Sequence, residues 1–450
     1  MKINYECGSE AVSKTFNDLK LDLNMSTEED ILKEIEKLNR NKTKIHEIDT
    51  KKTIDLLDKC ARKWLDREYS RKSVEILSKI TNQSIELIEY EIQNNMRMLL
   101  KENIEKTIKE ELGNLNIMDK WIKTSYGYAH RQPRGLVFHN ISGNAFVVVI
   151  MSIAMGLLSK NCNLVKVSGD EPYFSYAFYK SLYEIDESVK DRLSIVYFDS
   201  SKENIYEDII SKSDCVIHWG GERSSAVMEN LCSKYKKHII VHGAKISFEV
   251  IDKLDDISEC TSAVARDIVC WEQKACLSPR IVFVNKNIDF EQFSKELSDN
   301  LRSMTMSVPK VYFNAWNSVK TIQDRQYCVI KHSLKDEATK MYASHNSDYT
   351  VILSKDMPDK EDINRCFYRF IFVCPYSDDS EVYEYVKANI KDYLQTMGYS
   401  GDNMNFIEKM TLLGLSIVTR PGYMTLHYPG TSHDGIHNLY DMTLLASRQV

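Results

Sequence analysis

Apolar residues in the first third of the chain recur at helical spacing. Leu and Ile stand three and four positions apart among Glu, Lys and Asn, with few Gly or Pro, over residues 28–45, 51–67 and 84–112. Such stripes are typical of amphipathic helices whose apolar face packs on a core. We therefore expect a helical N-terminal region over residues 1–130 that packs on a larger domain. A role in partner binding is the alternative interpretation of the same stripes.

From Gly135 onwards the pattern changes to short apolar strands that alternate with helical segments. The predicted strands are GLVFHN, NLVKVS, LSIVYFD, DCVIHWG and HIIVHG, and the predicted helices cover residues 145–159, 173–186, 203–212 and 223–235. Strands that are apolar on both faces are typical of a parallel sheet with helices on each side. The repeated βα units predict a doubly wound, Rossmann-like domain over residues 131–245. In such a sheet, ligands lie beyond the carboxyl ends of the strands.

A second α/β set follows and predicts another doubly wound domain over residues 246–425. Its predicted strands are IVFVN, TVILS, RFIFVC and GLSIV, with a helix over about 380–397. We place the domain boundary near residue 245 and expect residues 426–450 to form a C-terminal tail. The segment RPGYMTLHYPGTSHDG that leads into this tail is rich in Gly, Pro and His, which is typical of an ordered loop. The fold class is therefore α/β.

Composition excludes several kinds of protein. With 43% apolar and 28% charged residues, the 450-residue chain resembles a globular protein of at least two domains. Its 59 Lys and Arg against 65 Asp and Glu give a net charge of −6, which is no footprint for nucleic acid. The longest apolar run, Ala145 to Leu158, is too short to span a membrane, and MKINYECGSE lacks a signal-peptide core. Eleven cysteines without a clustered framework favour reduced thiols, so we expect a cytoplasmic protein.

One cysteine is a candidate nucleophile. No GxGxxG follows the first strand, no Walker loop occurs, and His433 and His437 lack a second pair at zinc spacing, so we expect no metal. Cys276 lies in WEQKACLSPR, between a helical stretch and a Ser-Pro turn that leads into a strand. Lys274 and Arg280 nearby would favour its thiolate. Most other cysteines fall in apolar strands or amphipathic helices, where a thiol packs as a small hydrophobe.

Four segments occur in an order that we identify with a known superfamily. They are ISGNAF (141–146), NLVKVSGDEP (163–172), IHWGGERSS (217–225) and EQKACLSP (272–279). From about Arg134 onwards the chain resembles the aldehyde dehydrogenases. More specifically, the last segment is similar to the nucleophile stretch Gln-x-Ala-Cys-x-Ser-Pro of the long-chain acyl-CoA reductases of the bacterial bioluminescence fatty-acid reductase type. The resemblance covers roughly the last two-thirds of the chain.

The resemblance implies roles for individual residues. It makes Cys276 the catalytic nucleophile and the side-chain amide of Asn144 a donor to the oxyanion. The residues that it assigns to cofactor binding lie at or just after the carboxyl ends of the predicted strands of the first domain: Ser142, Lys166, Ser168, Gly169, Gly220, Gly221, His242 and Gly243. The closing GLSIVTRPGYM and HDG segments resemble a cap over the acyl channel or a subunit contact.

Departures from the general dehydrogenase pattern refine this prediction. Val241 stands where hydrolytic members have the Glu that activates water, so an acyl-enzyme would lack a general base. If the alignment of that segment shifts by a residue or two, Glu249 is the alternative base. Gly169 stands where a Glu would repel a 2′-phosphate, and with Lys166 nearby this favours NADPH over NADH. No Glu occurs in residues 369–375, where the family has its second cofactor carboxylate.

The implied activity is the NADPH-dependent reduction of a long-chain acyl thioester to the aldehyde through an acyl-enzyme on Cys276. The acyl donor would be acyl-CoA or an acyl-protein, and related reductases work beside an acyl-protein synthetase. The resemblance also implies a homodimer or homotetramer. Two alternatives stay open from the residues: a CoA-acylating aldehyde dehydrogenase that acts on shorter aldehydes, and a catalytically silent dehydrogenase-like scaffold.

Overall fold

The chain divides into two compact units, and each unit is built from segments that are not contiguous in the sequence. A computed structural model describes residues 1–143, 145–311 and 315–450. The first unit comprises Met1–Thr81, Ile88–Gly243 and His427–Val450, and the second comprises Asn82–Leu87 and Ala244–Leu426. The segment expected to be a separate tail is therefore part of the first unit. It contributes a helix and a strand there.

The first unit begins with a small sheet rather than with helices. Its strands are β1 (Lys2–Ile3), β2 (Glu10–Phe16) and β3 (Leu19–Met25), in the order β1-β3-β2 among the described residues. The expected helical region over 1–130 is wrong for these residues. In β3 a two-residue alternation places Leu21 and Leu23 in the core while their neighbours face solvent. Asn17 turns the β2–β3 hairpin at a φ of 53°, a conformation that asparagine tolerates.

The predicted N-terminal helices follow this sheet. They are α1 (Glu28–Ile45), α2 (Thr50–Leu65), α3 (Arg67–Thr81), α4 (Ile85–Arg97) and α5 (Lys101–Leu112). A capping box starts α1: the Thr27 hydroxyl accepts from the Asp30 backbone N–H, and the Asp30 carboxylate accepts from the Thr27 N–H. This arrangement satisfies two backbone donors that the first turn of the helix leaves unpaired.

A parallel sheet forms the body of the first unit, as the alternating pattern predicts. Two short strands lead into it, β4 (Ile122–Thr124) and β5 (Gly127–Pro133). The alternating elements are β6 (Leu136–Asn140), α6 (Val148–Leu158), β7 (Cys162–Lys166), α7 (Phe174–Tyr183), β8 (Leu193–Val196), α8 (Glu203–Lys212), β9 (Cys215–Trp219), α9 (Glu222–Lys234) and β10 (His238–His242). Within the described residues the strand order is β10-β9-β6-β7-β8, and all pairs are parallel. The order reverses between β6 and β9, so a ligand crevice is expected at their carboxyl ends.

Helix α1 covers one face of this sheet. Ile31, Ile35 and Leu38 of α1 belong to the same apolar cluster as Phe138 of β6 and Leu164 of β7. Helix α6 is apolar on every side and almost wholly buried, as expected for a helix inside a covered sheet. The N-terminal helices therefore complete the core of the first unit.

The second unit contains a larger sheet. Its elements are β11 (Ile246–Ile251), α10 (Ile257–Val269), a 3-10 turn (Cys270–Gln273), β12 (Pro279–Asn285), α11 (Phe290–Ser307), α12 (Ala315–Ser333), β13 (Lys340–Ala343), β14 (Thr350–Leu353), α13 (Lys360–Ile363), β15 (Phe370–Tyr376), α14 (Asp379–Asn389), β16 (Leu394–Ser400), α15 (Met404–Leu412) and β17 (Ile417–Thr419). The described strands run in the order β13-β14-β15-β12-β11-β16-β17, and only the β13–β14 pair is antiparallel. The helix predicted over 380–397 is wrong beyond Asn389, because the buried strand β16 pairs with β11 and β17.

The C-terminal segment closes the first unit. Helix α16 (Asn438–Asp441) precedes β18 (Thr443–Gln449), and β18 pairs antiparallel with β5 in the sheet order β18-β5-β4. Across the parts of the chain that the structure describes, no helix combines the length and the apolar character that a membrane crossing needs.

Candidate active site

Accessibility sets Cys276 and one other cysteine apart from the remaining nine. Among the described residues none of the eleven cysteines forms a disulfide; nine are buried, and only Cys260 and Cys276 are half-buried. Burial, with the nearby carboxyl groups of Glu249 and Glu259, raises the pKa of Cys260 to about 12. Cys260 is therefore a protonated thiol near neutral pH, which makes it a poor nucleophile. Cys276 is left as the reachable candidate.

The backbone before Cys276 is strained. Trp271, Glu272 and Gln273 have φ angles of 60°, 49° and 57°, so three consecutive residues with full side chains adopt the left-handed conformation. This conformation costs about 1–2 kcal/mol for each such residue. Strain of this kind persists only where the surrounding structure holds it in place, and it concentrates at functional sites. Two side chains of the turn supply the restraint.

The first restraint is the side-chain amide of Gln273. Its nitrogen donates to the backbone carbonyls of Pro279 and Phe370, at 2.9 and 3.0 Å, and its oxygen accepts from the Phe370 N–H at 2.7 Å. One buried amide therefore satisfies three backbone groups at the starts of β12 and β15. The strained turn is tied to two strands of the sheet.

The second restraint is a buried ion pair. The Arg369 guanidinium donates to both carboxylate oxygens of Glu272, from Nε at 3.0 Å and from Nη2 at 2.5 Å, and neither side chain is more than 2% exposed. The remaining donors of Arg369 bind Thr305 Oγ1 at 3.0 Å and the Val308 carbonyl at 2.9 Å. The Tyr368 N–H also donates to the Glu272 carbonyl at 3.1 Å. These contacts hold the turn that precedes the nucleophile.

Cys276 itself is held through its backbone and lies near a buried cation. The Ser247 hydroxyl donates to the Cys276 carbonyl at 2.6 Å. Arg280 donates to the Cys366 carbonyl at 2.7 Å. Burial lowers the pKa of Arg280 to about 10, while electrostatic attraction to Cys366 and Cys276 opposes that shift, so the guanidinium stays charged near neutral pH. That Arg280 favours the Cys276 thiolate stays a prediction, and the buried charge beside the thiol supports it.

In the first unit, the loops after β6 and β7 lie against each other. A Cβ atom on Gly143 would come within 2.6 Å of Ser168 Oγ and 2.7 Å of Asp170 Cβ, so the close approach of these loops requires glycine. Ser142 is half-buried in the first of these loops. The predicted oxyanion donor Asn144 lies outside the described residues.

Two lysine side chains lie close to the loop after β7, whereas the sequence predicted only Lys166 there. Lys166 is buried at the end of β7 and donates to Ser200 Oγ at 3.0 Å; burial lowers its pKa to about 8, although nearby acidic groups oppose the shift. Lys14, on β2, donates to the Gly169 carbonyl at 2.9 Å. Sequence analysis missed Lys14, because the small N-terminal sheet that carries it was not predicted. The absence of a side chain at Gly169 leaves room for the Lys14 ammonium, which a Cβ atom would meet at 2.8 Å.

The glycines after β9 leave a helix N-terminus accessible. Gly221 is the N-cap of α9 and makes no side-chain capping bond, and a Cβ atom there would meet nothing within 4 Å. At Gly220 a Cβ atom would lie 2.5 Å from both His218 Nε2 and Ser224 Oγ, so this position requires glycine. Exposed N–H groups at a helix N-terminus favour phosphate.

The match to a sequence family decides the assignment. The model of the family described as acyl-CoA reductase (LuxC) matches residues 45–445. The chain belongs to this family. The predicted resemblance is thus confirmed, and the match extends further towards the N-terminus than the motifs did.

Named relatives of this LuxC-family chain are similar over most of its length. It is 24% identical over 415 residues to a long-chain acyl-protein thioester reductase of Vibrio harveyi, covering 90% of this chain and 84% of that protein. It is 25% identical over 437 residues to long-chain acyl-protein thioester reductase 2 of Photobacterium leiognathi, covering 94% of this chain and 87% of that protein.

Solved structures confirm the predicted aldehyde-dehydrogenase-like α/β fold of the LuxC-family chain. An aldehyde dehydrogenase from Brucella melitensis matches with a TM-score of 0.77 at 12% identity, covering 99% of this chain and 94% of that chain. A Bacillus cereus aldehyde dehydrogenase, solved as its NAD+ complex, matches with a TM-score of 0.75 at 15% identity, covering 98% of this chain and 93% of that chain. At such identities the likeness establishes the fold alone.

The end of β10 in this LuxC-family chain holds a contact that the sequence did not predict. His242 Nδ1 lies 2.9 Å from Asp434 Oδ2, and Nε2 lies 2.9 Å from Asn438 Oδ1. Its ring stacks on Trp219 with the centroids 3.9 Å apart. Both ring nitrogens are therefore engaged by the C-terminal segment. Cofactor contacts by His242, and by the following Gly243, stay predictions.

The alternative base Glu249 is poorly suited to accept a proton. It lies on β11 with no exposed surface, and neither of its carboxyl oxygens has a hydrogen-bond partner among the described residues. Burial, together with the Asp267 carboxyl group, raises the pKa of Glu249 well above its ordinary value. A carboxyl group with no exposed surface is also out of reach of an attacking water molecule, so it is poorly placed to act as a general base.

Proposed function

We propose that this chain reduces a long-chain acyl thioester to the fatty aldehyde through an acyl-enzyme on Cys276. Membership in the acyl-CoA reductase family and the names of the similar proteins support this reaction class. The observation that carries the proposal is the strained, doubly restrained turn that ends three residues before Cys276, a half-buried thiol; the other half-buried cysteine among the described residues, Cys260, has a pKa raised to about 12. Backbone strain of that kind is stored where a reacting group must be held in a defined position.

In the proposed reaction the Cys276 thiolate attacks the carbonyl carbon of the thioester. A new C–S bond forms, the carbonyl oxygen gains negative charge, and the original C–S bond then breaks to release the donor as a thiol after it takes a proton. The backbone N–H of Cys276 and the predicted Asn144 amide would stabilise the oxyanion; loss of one such donor typically lowers the rate by about 10²–10³-fold. Gln273 and Glu272 act as positioning residues, because they hold the turn and do not contact the reacting atoms.

The first unit fits a nicotinamide dinucleotide. The accessible N-terminus of α9 after Gly221 suits a pyrophosphate, and Lys14 and Lys166 converge on the loop that carries Gly169. When bound, a reduced nicotinamide would supply the hydride to the acyl carbon; the C–S bond to Cys276 would then break, releasing the aldehyde and the Cys276 thiolate. The two lysines would hold a 2′-phosphate, so we propose NADPH as the preferred cofactor. Ser142, Ser168 and Gly220 would line the same site.

Lys14→Gln is expected to lower the preference for NADPH. Loss of one charged contact to a phosphate should raise the KM for NADPH about tenfold, with the KM for NADH changed less than twofold, because NADH lacks the 2′-phosphate. Initial rates with each cofactor measure this ratio. Lys20→Gln is the matched control, since Lys20 lies on the same hairpin and its side chain is 65% exposed. An equal loss with both cofactors would contradict the assignment.

The acyl-enzyme is protected from water in this proposal. Val241 offers only hydrocarbon at the position of the hydrolytic Glu, and the carboxyl group of Glu249 has no exposed surface. The acyl-enzyme would then persist until it is reduced, because neither residue activates water to hydrolyse it.

Val241→Glu is expected to divert the intermediate to the free acid. A carboxylate at this position would activate water, and general base catalysis contributes roughly 10²–10⁴-fold. Release of labelled fatty acid from the acyl-enzyme without reduced cofactor measures the effect, with Val241→Gln as the uncharged control. Equal acid release from both variants would show that residue 241 does not face the acyl group.

The substrate assignment is tested with a panel of acyl thioesters. Acyl-CoA esters of short, medium and long chains, and an acyl-protein made by a separate acyl-protein synthetase, are supplied with NADPH. We expect one aldehyde for each NADPH consumed, with the highest kcat/KM for long chains. Consumption of NADPH only with short-chain substrates would favour the CoA-acylating dehydrogenase. Tight NADPH binding without turnover of any thioester would favour the silent scaffold.

A further inference from the structure

A group of potential metal ligands lies at the end of β10. One ligand atom from each of His242, His433 and Asp434 lies within 4.8 Å of the others. All three residues belong to the first unit. The sequence predicts no metal, because His433 and His437 lack a second pair at zinc spacing; His242 is 191 positions before His433, so the fold alone brings these two together.

A tight turn sets His433 and Asp434 side by side. His433 and Ile436 exchange both backbone hydrogen bonds at 2.9 Å. The two central residues, Asp434 and Gly435, have φ angles of 53° and 77°, as in the two-residue turns of β-hairpins. The turn therefore presents an imidazole and a carboxylate from adjacent positions towards His242.

The cluster is shielded from solvent. The side chains of His242 and Asp434 are 2% and 3% exposed, and that of His433 is 16% exposed. A carboxylate in such surroundings is stabilised by a positive charge close to it, because burial removes its solvation by water. A metal ion bound between the three side chains would supply that charge.

The hydrogen bonds of His242 match those of a metal ligand. Nε2 lies 2.9 Å from Asn438 Oδ1 and Nδ1 lies 2.9 Å from Asp434 Oδ2. In the neutral tautomer that donates from Nε2 to the amide oxygen, the lone pair of Nδ1 is directed at the Asp434 carboxylate. Metal-binding histidines almost always donate their second ring N–H to an oxygen in this way. The stacked Trp219 ring fixes the plane of the imidazole.

We propose that His242, His433 and Asp434 bind a divalent transition-metal ion. Two imidazole nitrogens and one carboxylate oxygen suit Zn²⁺, Co²⁺ or Ni²⁺, whereas Mg²⁺ and Ca²⁺ favour sites built of oxygen alone. Three protein ligands leave a fourth position open. His427, whose ring centroid lies 5.6 Å from that of His433, is a candidate for it. The proposal is independent of the acyl transfer assigned to Cys276.

Metal binding by the full-length, chelator-treated chain tests the proposal. We expect titration with Zn²⁺ to give one saturable site per chain, Co²⁺ to bind there with a visible absorption band, and excess Mg²⁺ not to compete. Asp434→Asn and His433→Ala should each weaken Zn²⁺ binding by at least about tenfold, and Asn438→Ala by about 10–100-fold through the orientation of His242.

Two controls test whether a change in Zn²⁺ affinity comes from the proposed ligands. His46→Ala removes an exposed imidazole of the first unit and should leave the Zn²⁺ affinity unchanged. Thermal unfolding of each metal-free variant identifies those that fold as the wild type does, and Asp434→Asn preserves the shape of the side chain. Absence of saturable Zn²⁺ binding by the wild type, or wild-type affinity in a folded Asp434→Asn variant, would overturn the proposal.

Discussion

Replacing Cys276 with alanine is expected to abolish aldehyde formation and covalent acylation together. The sulfur forms the bond that carries the acyl group, so no other group replaces it, and losses from deleting a covalent nucleophile reach about 10⁶-fold. Steady-state aldehyde production measures the first effect. Intact-protein mass spectrometry after incubation with acyl-CoA, without reduced cofactor, measures the second.

Cys260→Ala is the matched control for this experiment. Cys260 is the other half-buried cysteine among the described residues, and its pKa of about 12 makes it unreactive near neutral pH. This variant should retain both the acyl label and the aldehyde product. Acylation that persists in Cys276→Ala, or disappears in Cys260→Ala, would place the nucleophile elsewhere.

Of the substitutions proposed for this chain, Arg369→Met is expected to lower the free energy of unfolding the most. It removes the guanidinium and leaves the Glu272 carboxylate buried without its charged partner, a change that costs about 3–5 kcal/mol. That is a large share of the roughly 5–15 kcal/mol that stabilises a folded protein. Urea denaturation measures the free energy of unfolding, and kcat on a long-chain acyl thioester should fall as the turn before Cys276 relaxes.

The double variant Glu272→Leu with Arg369→Met separates the effect of this ion pair on protein stability from its effect on the position of Cys276. Replacing a buried ion pair by apolar residues of similar volume is often neutral or stabilising, so most of the lost free energy of unfolding should return. Activity should stay low, because a displacement of about 1 Å at a reacting group can cost about 10²-fold. Full recovery of kcat in the double variant would show that the ion pair does not position the nucleophile.

The sheet of the first unit could be predicted because local and tertiary preferences agree there. The predicted strands GLVFHN and HIIVHG correspond to β6 and β10, which are apolar segments bounded by turn residues. The N-terminal sheet was missed because β2 exposes most of its residues and offers little apolar alternation. The predicted helix over 380–397 extends past the true end of α14, because no Gly or Pro separates α14 from β16. Residues of β16 form a strand because they pair with β11.

Within the candidate site, only the residues that belong to one contiguous sequence motif could be predicted. The stretch around Cys276 carries its own signature, so the nucleophile could be proposed from sequence. Its restraints could not, because Glu272 and Arg369 are 97 positions apart and only the folded sheet brings them together. No residue pattern reveals the left-handed conformation of Trp271, since side chains of this type rarely adopt it.

The return of residues His427–Val450 to the first unit has a consequence for biosynthesis. Strand β18 and the partners of His242 are synthesised only after the whole of the second unit has been translated. At about 5–20 residues per second, roughly 10–40 s separate the emergence of β10 from the arrival of β18. During that interval β5 lacks its β18 partner and presents an open edge, the kind of edge that can pair with another chain.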